Sequence, residues 1–413
     1  MAIPFDTNKN VMESEEDRSF KEPIFIEKFD DSEPDNEVEE DIVDLEKLDL
    51  STMAVTGTDW TTETLISQLE KGNIILNPDF QRRDAWTQKT KSRFIESLLL
   101  GLPIPQIILA EVKGKRGVYF VIDGKQRLLS LSQFVLGNKA ENTEKLILSK
   151  LEVKKQFNGK SYDDILNSPD NDEITAFNNQ TIRTIVIKHW PSTQALYLLF
   201  LRLNTGSVKL SPQELRQAMF PGEFIRFANE TSAQSPMIKK MLNLRMPDFR
   251  MRDVEILIRY YAFRLFISEY TGSLQAFLDM TCDRLNKGWD QNIALIKNEY
   301  SRLEHAIEQT LEIFGDDAFK KYKNGRYEKK YNRAVIDIMT YFFAQDLNSD
   351  VLKSRSGQIK KEFELLCDND QEFLAALETT TKSVSAVKKR FGEWGSKLNE
   401  IVGDESVLLP SWK

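Results

Sequence analysis

Cysteine and histidine are almost absent from this chain, with two of each in 413 residues. Cys282 and Cys367 are far apart and lack metal-ligand spacing. That excludes a disulfide framework or a cysteine-rich metal site, and each reads as a small buried residue in a reducing compartment. His189 precedes Trp190-Pro191 at the end of an apparent strand, and His305 sits between Leu303 and Ile307 of an apolar helical stripe. Neither stands in a metal-and-base constellation. Apolar runs of membrane-spanning length are missing, as is a signal-peptide pattern at the N-terminus. The expected location is therefore cytoplasmic, without membrane contact. No internal repeat is present.

What the chain has in excess is acid, concentrated at one end. The formal net charge is −8, yet residues 1–50 alone hold 18 Asp and Glu against 5 Lys and Arg, which leaves residues 51–413 net positive by five. Residues 30–37 and 39–41 read as an acidic disordered tail. A tail of this kind either solvates the chain or mimics nucleic acid and occupies a basic cleft. The length accommodates two or three domains. The expected divisions are the tail at 1–50, a motif-bearing domain at 51–220 and a helical domain at 221–413.

Candidate chemistry begins where Gly117-Val118-Tyr119-Phe120-Val121-Ile122 runs into Asp123-Gly124-Lys125-Gln126-Arg127. A β-branched and aromatic run predicts a strand, Asp-Gly a sharp turn, and Leu128 to Leu136 an apolar helix. Strand, glycine turn and helix N-terminus form a common phosphate-holding arrangement. The plainer reading makes Asp123 an N-cap with Gln126 completing a capping box. Capping does not call for Lys125 and Arg127 at the positive end of the helix dipole, where cations are mildly unfavourable unless an anion binds.

Upstream lies Asn77-Pro78-Asp79-Phe80-Gln81-Arg82-Arg83-Asp84-Ala85-Trp86, after the short apolar run Ile74 to Leu76. It precedes an amphipathic helix with Phe94, Ile95, Leu98 and Leu99 at helical spacing, ending at Gly101. Phe80 and Trp86 read as core anchors. Pro103 and Pro105 keep the chain extended into a strand at 106–110. Downstream, Phe200-Leu201-Arg202-Leu203-Asn204-Thr205-Gly206 contains a turn sequence. Ser211-Pro212-Gln213-Glu214 then starts a helix, with Ser211 as N-cap, Pro212 at N1 and Glu214 as cap partner. Beyond Phe220 the pattern is helical, with stripes at Val254–Leu265 and Ile296–Leu311 closed by Gly315. Further helices are predicted near 333–345, 357–367, 372–377 and 384–391.

In this order the segments resemble the Asp-Gly-Gln-Gln-Arg motif domain of unknown function, the first part of GmrSD-type modification-dependent restriction systems and related phage-defence proteins. The likeness covers about Trp60 to Phe220 and continues weakly through Arg250-Met251-Arg252-Asp253. Lys125 departs from it, since the family usually has Gln there. The family is similar to the ParB and sulfiredoxin fold group. The implied fold is α+β, with a ParB-like α/β domain followed by a mainly α-helical one. The implied cofactor is an NTP with Mg²⁺. In that reading Gly124 admits phosphates to the backbone, while Lys125 and Arg127 neutralise their charge. Asp123 holds Mg²⁺ or positions a water, and Gln126 completes the catalytic set with Asp123 and Arg127. Gln81 and Arg82 reach in from the facing loop, and Asn204 and Thr205 line the rim.

The resemblance also implies partners. DNA, modified or of phage origin, is expected, with Lys388, Lys389 and Arg390 as a candidate phosphate-contacting face. Restriction relatives often carry a His-Asn-His nuclease domain. With two histidines this chain is expected to lack one and to rely on a separate nuclease or toxin subunit, with homo-oligomerisation open. The leading expectation is an NTP-hydrolysing switch; the rivals are a non-hydrolysing sensor of nucleotide or modified DNA, and a ParB-like metal-dependent nuclease.

Overall fold

The computed structural model describes residues 51–76, 86–137, 144–192, 195, 196, 199, 211–248, 250–378, 381–403 and 407–412. A mixed α/β part comes first and a mostly helical part follows, which is the expected α+β class. The first part is built from β1 (Ala54–Thr61), α1 (Thr62–Glu70), β2 (Ile74–Ile75), α2 (Gln88–Leu99), β3 (Ile107–Glu111), β4 (Tyr119–Asp123), α3 (Lys125–Val135), α4 (Tyr162–Leu166), α5 (Asn171–Asn179) and β5 (Thr181–Lys188).

The five strands form one sheet in the order β1-β5-β3-β4-β2. β1 runs antiparallel to β5, β5 parallel to β3, β3 antiparallel to β4 and β4 parallel to β2. Ile107–Ala110 and Phe120–Ile122 are apolar without interruption because both faces of these central strands are covered. Ile107, Leu109 and Val121 face a core shared with Leu65, Phe94, Leu98, Leu128, Phe134 and Phe177. Ile108, Ala110, Phe120 and Ile122 face the opposite way, against Ile187, Trp190, Leu196 and Leu215. Leu215 lies on α6 (Pro212–Met219), so this helix lies over the sheet face opposite α3. Trp86 is half-buried and meets Phe94 edge to face at 5.7 Å, as its anchor reading anticipated.

The second part comprises α7 (Glu223–Gln234), α8 (Pro236–Leu242), α9 (Arg252–Phe266), α10 (Leu274–Lys287), α11 (Trp289–Phe314), the hairpin of β6 (Lys320–Lys323) and β7 (Arg326–Tyr331), α12 (Arg333–Phe343), α13 (Ser349–Ser354), α14 (Ser356–Asn369), α15 (Gln371–Glu378) and α16 (Val384–Val402). Its core is a separate cluster that includes Phe224, Tyr261, Phe263, Phe342, Phe391 and Trp394. α9 and α11 follow the predicted stripes, and Gly315 stops α11 with φ 58°. The helix expected at 384–391 continues to Val402. Its amphipathic stripe continues through Trp394, Leu398 and Ile401, all buried. The β6–β7 hairpin was not anticipated. Its turn sequence, Asn324-Gly325, takes φ 54° and 76°, the left-handed pair that a tight hairpin turn requires.

Candidate functional site

The site is built around the end of β4. The strand extends through Asp123, whose backbone pairs with Ile108 of β3, and the chain reverses at Gly124 with φ 98°. Only glycine adopts this conformation without strain. A Cβ at Gly124 would also stand 3.0 Å from Ile107 Cγ1 and 3.3 Å from Arg127 Nε and Nη2. The N-cap of α3 is therefore Gly124, and it supplies no side-chain cap. This corrects the capping reading of Asp123 and Gln126. Because the strand claims Asp123, Gln126 falls at N2, one position short of capping-box spacing.

Asp123 instead organises the turn. Its Oδ1 accepts from Gly124 N–H at 2.7 Å, and its Oδ2 accepts from Arg127 Nη2 at 2.9 Å. Arg127 Nη2 also donates to the Gln106 carbonyl at 3.0 Å, tying the turn to the start of β3. The guanidinium is buried, and its Nε has no hydrogen-bond partner among the described residues. A buried, unsatisfied donor on a cation costs free energy, so an acceptor at this point would be stabilising. Gln126 is half-buried, and its carbonyl accepts from Ser130 Oγ at 2.7 Å.

Lys125 reaches α6. Its Nζ lies 2.6 Å from Glu214 Oε1, and both side chains are 6% exposed. Glu214 Oε2 accepts from Ser211 N–H at 2.7 Å, while Ser211 Oγ accepts from Glu214 N–H at 3.1 Å. The predicted capping box of α6 is thus present, and the same carboxylate neutralises Lys125. Ser211 Oγ donates onward to the Arg250 carbonyl at 2.8 Å, just before α9. Two residues along α6, Arg216 Nε donates to Asp279 Oδ1 at 2.8 Å and Nη1 to Gln213 Oε1 at 2.7 Å. Segments separated by 89 residues, from Lys125 to Glu214, and by 39 residues, from Ser211 to Arg250, meet here through an ion pair and a hydrogen bond.

Residues 62–221 match the family model of the GmrSD restriction endonuclease, N-terminal domain. The match supports a GmrS-like domain over these residues. No curated protein and no solved structure matched the chain. The matched segment contains α1 to α6 and the Asp123–Arg127 turn. Lys125, the departure from the usual motif, has a structural account in this GmrS-like domain: it meets the negative charge of a buried glutamate.

Four other expected site residues, Gln81, Arg82, Asn204 and Thr205, lie outside the described residues, as does Phe80. The acidic tail at 1–50 does as well. Among the described residues no group of three or more His, Cys, Asp or Glu side chains converges as a metal site. No described helix is long and apolar enough to cross a membrane. Asp123 offers a single carboxylate already holding a guanidinium. It fits a Mg²⁺ ion that arrives on a polyphosphate, which needs only one or two protein carboxylates, and not a resident ion in a protein cage.

The trio Lys388, Lys389 and Arg390 does not form one basic face. Consecutive helical residues point about 100° apart, so three in a row spread around α16. Arg390 is turned into the helical core, where it donates to the Thr381 carbonyl and lies 3.4 Å from Asp337. Lys389 is held by Asp370 at 2.9 Å, Glu393 at 3.3 Å and Glu372 at 3.4 Å. Its hydrogen bond to Asp370 keeps the ammonium protonated well above the ordinary lysine range. Lys388 lies over the Trp412 ring at 5.6 Å. The residues that sequence reasoning undervalued are Gln106, Gln213 and Arg216. Only the spacing of Arg216 after the capping box could have signalled one of them.

Proposed function

We propose that this protein is a component of a restriction or phage-defence system whose GmrSD domain binds a nucleoside triphosphate at the Asp123–Arg127 turn. The observation that carries this reading is the start of α3 behind a left-handed glycine that supplies no side-chain cap, with a buried arginine Nε beside it that has no hydrogen-bond partner among the described residues. A phosphate at this point would accept from Arg127 and from the first amides of α3, where the helix dipole favours negative charge. Gly124 would let the phosphate approach the backbone. Gln81 and Arg82, with Asn204 and Thr205, would complete the enclosure.

In the leading form of the proposal the triphosphate is hydrolysed, and turnover switches engagement with DNA and with a separate nuclease or toxin subunit. Mg²⁺ bound to the nucleotide would spread the phosphate charge. Asp123 would hold the turn and position the attacking water. A second reading, binding without hydrolysis, is supported by the engagement of both Asp123 oxygens, which leaves that carboxylate a structural part of the turn.

The test is calorimetric titration with a non-hydrolysable ATP or GTP analogue, paired with phosphate release from the hydrolysable forms. Wild type is expected to bind, and Arg127→Ala to weaken binding by at least tenfold. Wild type that binds yet releases no phosphate would remove the hydrolytic form and leave the sensor. Wild type that binds no triphosphate at all would sink both.

A further inference from the structure

Resting on that reading, we propose that Glu214 is a latch that couples ligand at the turn to the helical part of the molecule, acting on Lys125 as a positioning residue. Glu214 has two loyalties. Through Oε1 it neutralises Lys125 at 2.6 Å, and through Oε2 and its own N–H it closes the cap of α6 on Ser211. Both charges are buried, so their mutual attraction is little screened and each is costly without the other. Ser211 passes the connection on to the Arg250 carbonyl at 2.8 Å. α6 also carries Arg216, which binds Asp279 of α10 at 2.8 Å. One helix of eight residues therefore touches the motif turn at its N-terminus and the helical part along its length.

A polyphosphate entering beside Arg127 brings several negative charges next to residue 125. It competes with Glu214 for the ammonium and repels the carboxylate. Sharing Lys125 weakens the hold on Glu214, which loosens the cap of α6 and, through Ser211, the backbone at Arg250 ahead of α9. The signal requires no long-range displacement, because each step is a hydrogen bond or ion pair already present.

Glu214→Gln tests the latch. The amide keeps the size of the side chain and an oxygen acceptor for Ser211 N–H, while the negative charge is removed. Calorimetry with a non-hydrolysable ATP or GTP analogue is expected to show about tenfold tighter binding, within the range of ordinary coupling between sites. Hydrogen exchange of ligand-free protein is expected to rise at residues 211–216 and 250–254 relative to wild type, with the β3–β4 amides unchanged. In wild type the analogue should raise exchange in those same two segments; in Glu214→Gln it should add nothing further. Lys125→Gln, which removes the ammonium that holds Glu214, should weaken analogue binding and raise ligand-free exchange in those same two segments. Unchanged ligand-free exchange in Glu214→Gln overturns the latch whether or not a nucleotide binds. Failure of wild type to bind any triphosphate overturns the proposed function instead, and leaves the ligand-free comparison to decide the Lys125–Glu214 coupling.

Discussion

Gly124 carries the most stringent demand in the site. Its φ of 98° is disfavoured for any residue with a Cβ, and a methyl there would press on Ile107 at 3.0 Å. Gly124→Ala is expected to destabilise the fold by about 1–2 kcal/mol, the usual cost of a left-handed L-residue. Denaturant midpoints at unchanged slope would measure it. The variant should also lose nucleotide affinity, because the methyl meets Arg127 Nε where phosphate is proposed to bind. A midpoint equal to wild type would show that the turn relaxes and that the glycine is not required. The motif lettering gave no hint that Asp123 and Arg127 satisfy each other across one helical turn. That pairing follows from the strand ending at Asp123 rather than before it.

Helix caps carry the argument at the scale of elements. Two capping boxes have the same geometry and different settings. Buried Ser161 and exposed Asp164 start α4, whereas Ser211 and Glu214 start α6 beside a buried lysine. Hydrogen bonds from Ser161 Oγ and Ser161 N–H hold the Asp164 carboxyl below its ordinary value of 3.8. The lowered pKa means that this cap stabilises the fold above the ordinary carboxylate range. The contribution is lost as pH falls through the folded-state pKa, when the protonated acid no longer accepts both bonds. Ser161→Ala should raise the Asp164 titration midpoint toward 3.8 and raise hydrogen exchange in α4, both readable by NMR. A midpoint unmoved by the substitution would mean that the serine hydroxyl is not the cause. α16 teaches the opposite caution about elements. Its basic run looked like a surface in linear order, and helical rotation placed Arg390 in the core.

The helical part of the whole molecule has a core rich in aromatic side chains that also contains buried charge. Arg259 binds Asp337 through Nε at 2.9 Å and Nη2 at 2.7 Å, and Arg390 adds a second cation to the same carboxylate. Such clusters are costly to break and are not by themselves a sign of catalysis. Cys282 and Cys367 lie within this core. Burial pushes the Cys367 thiol up to about 12 and raises that of Cys282 as well. Burial therefore keeps the Cys367 thiol in its protonated, weakly nucleophilic form at pH 8. Native protein is therefore expected to leave both thiols unmodified by iodoacetamide at that pH, with two equivalents reacting after denaturation. Rapid labelling of either in the native state would place that thiol in an open region instead.

The amino-acid sequence by itself determined the order of elements around the motif, since apolar periodicity and glycine or proline punctuation are local. β3, β4, α2, α3 and the Ser211 cap were legible in this way, as was the division into a mixed part and a helical part. β1 was not, because Ala54–Thr61 is largely exposed and polar and acquires its strand character by pairing with β5. Tertiary structure alone decided what the charged residues do. Helix and strand patterns state which way a side chain faces, but the partner of a buried ion comes from a different segment brought close by the fold. Lys125 meets Glu214 only because α6 packs over the sheet at the end of β4, and no spacing along the chain encodes that distance.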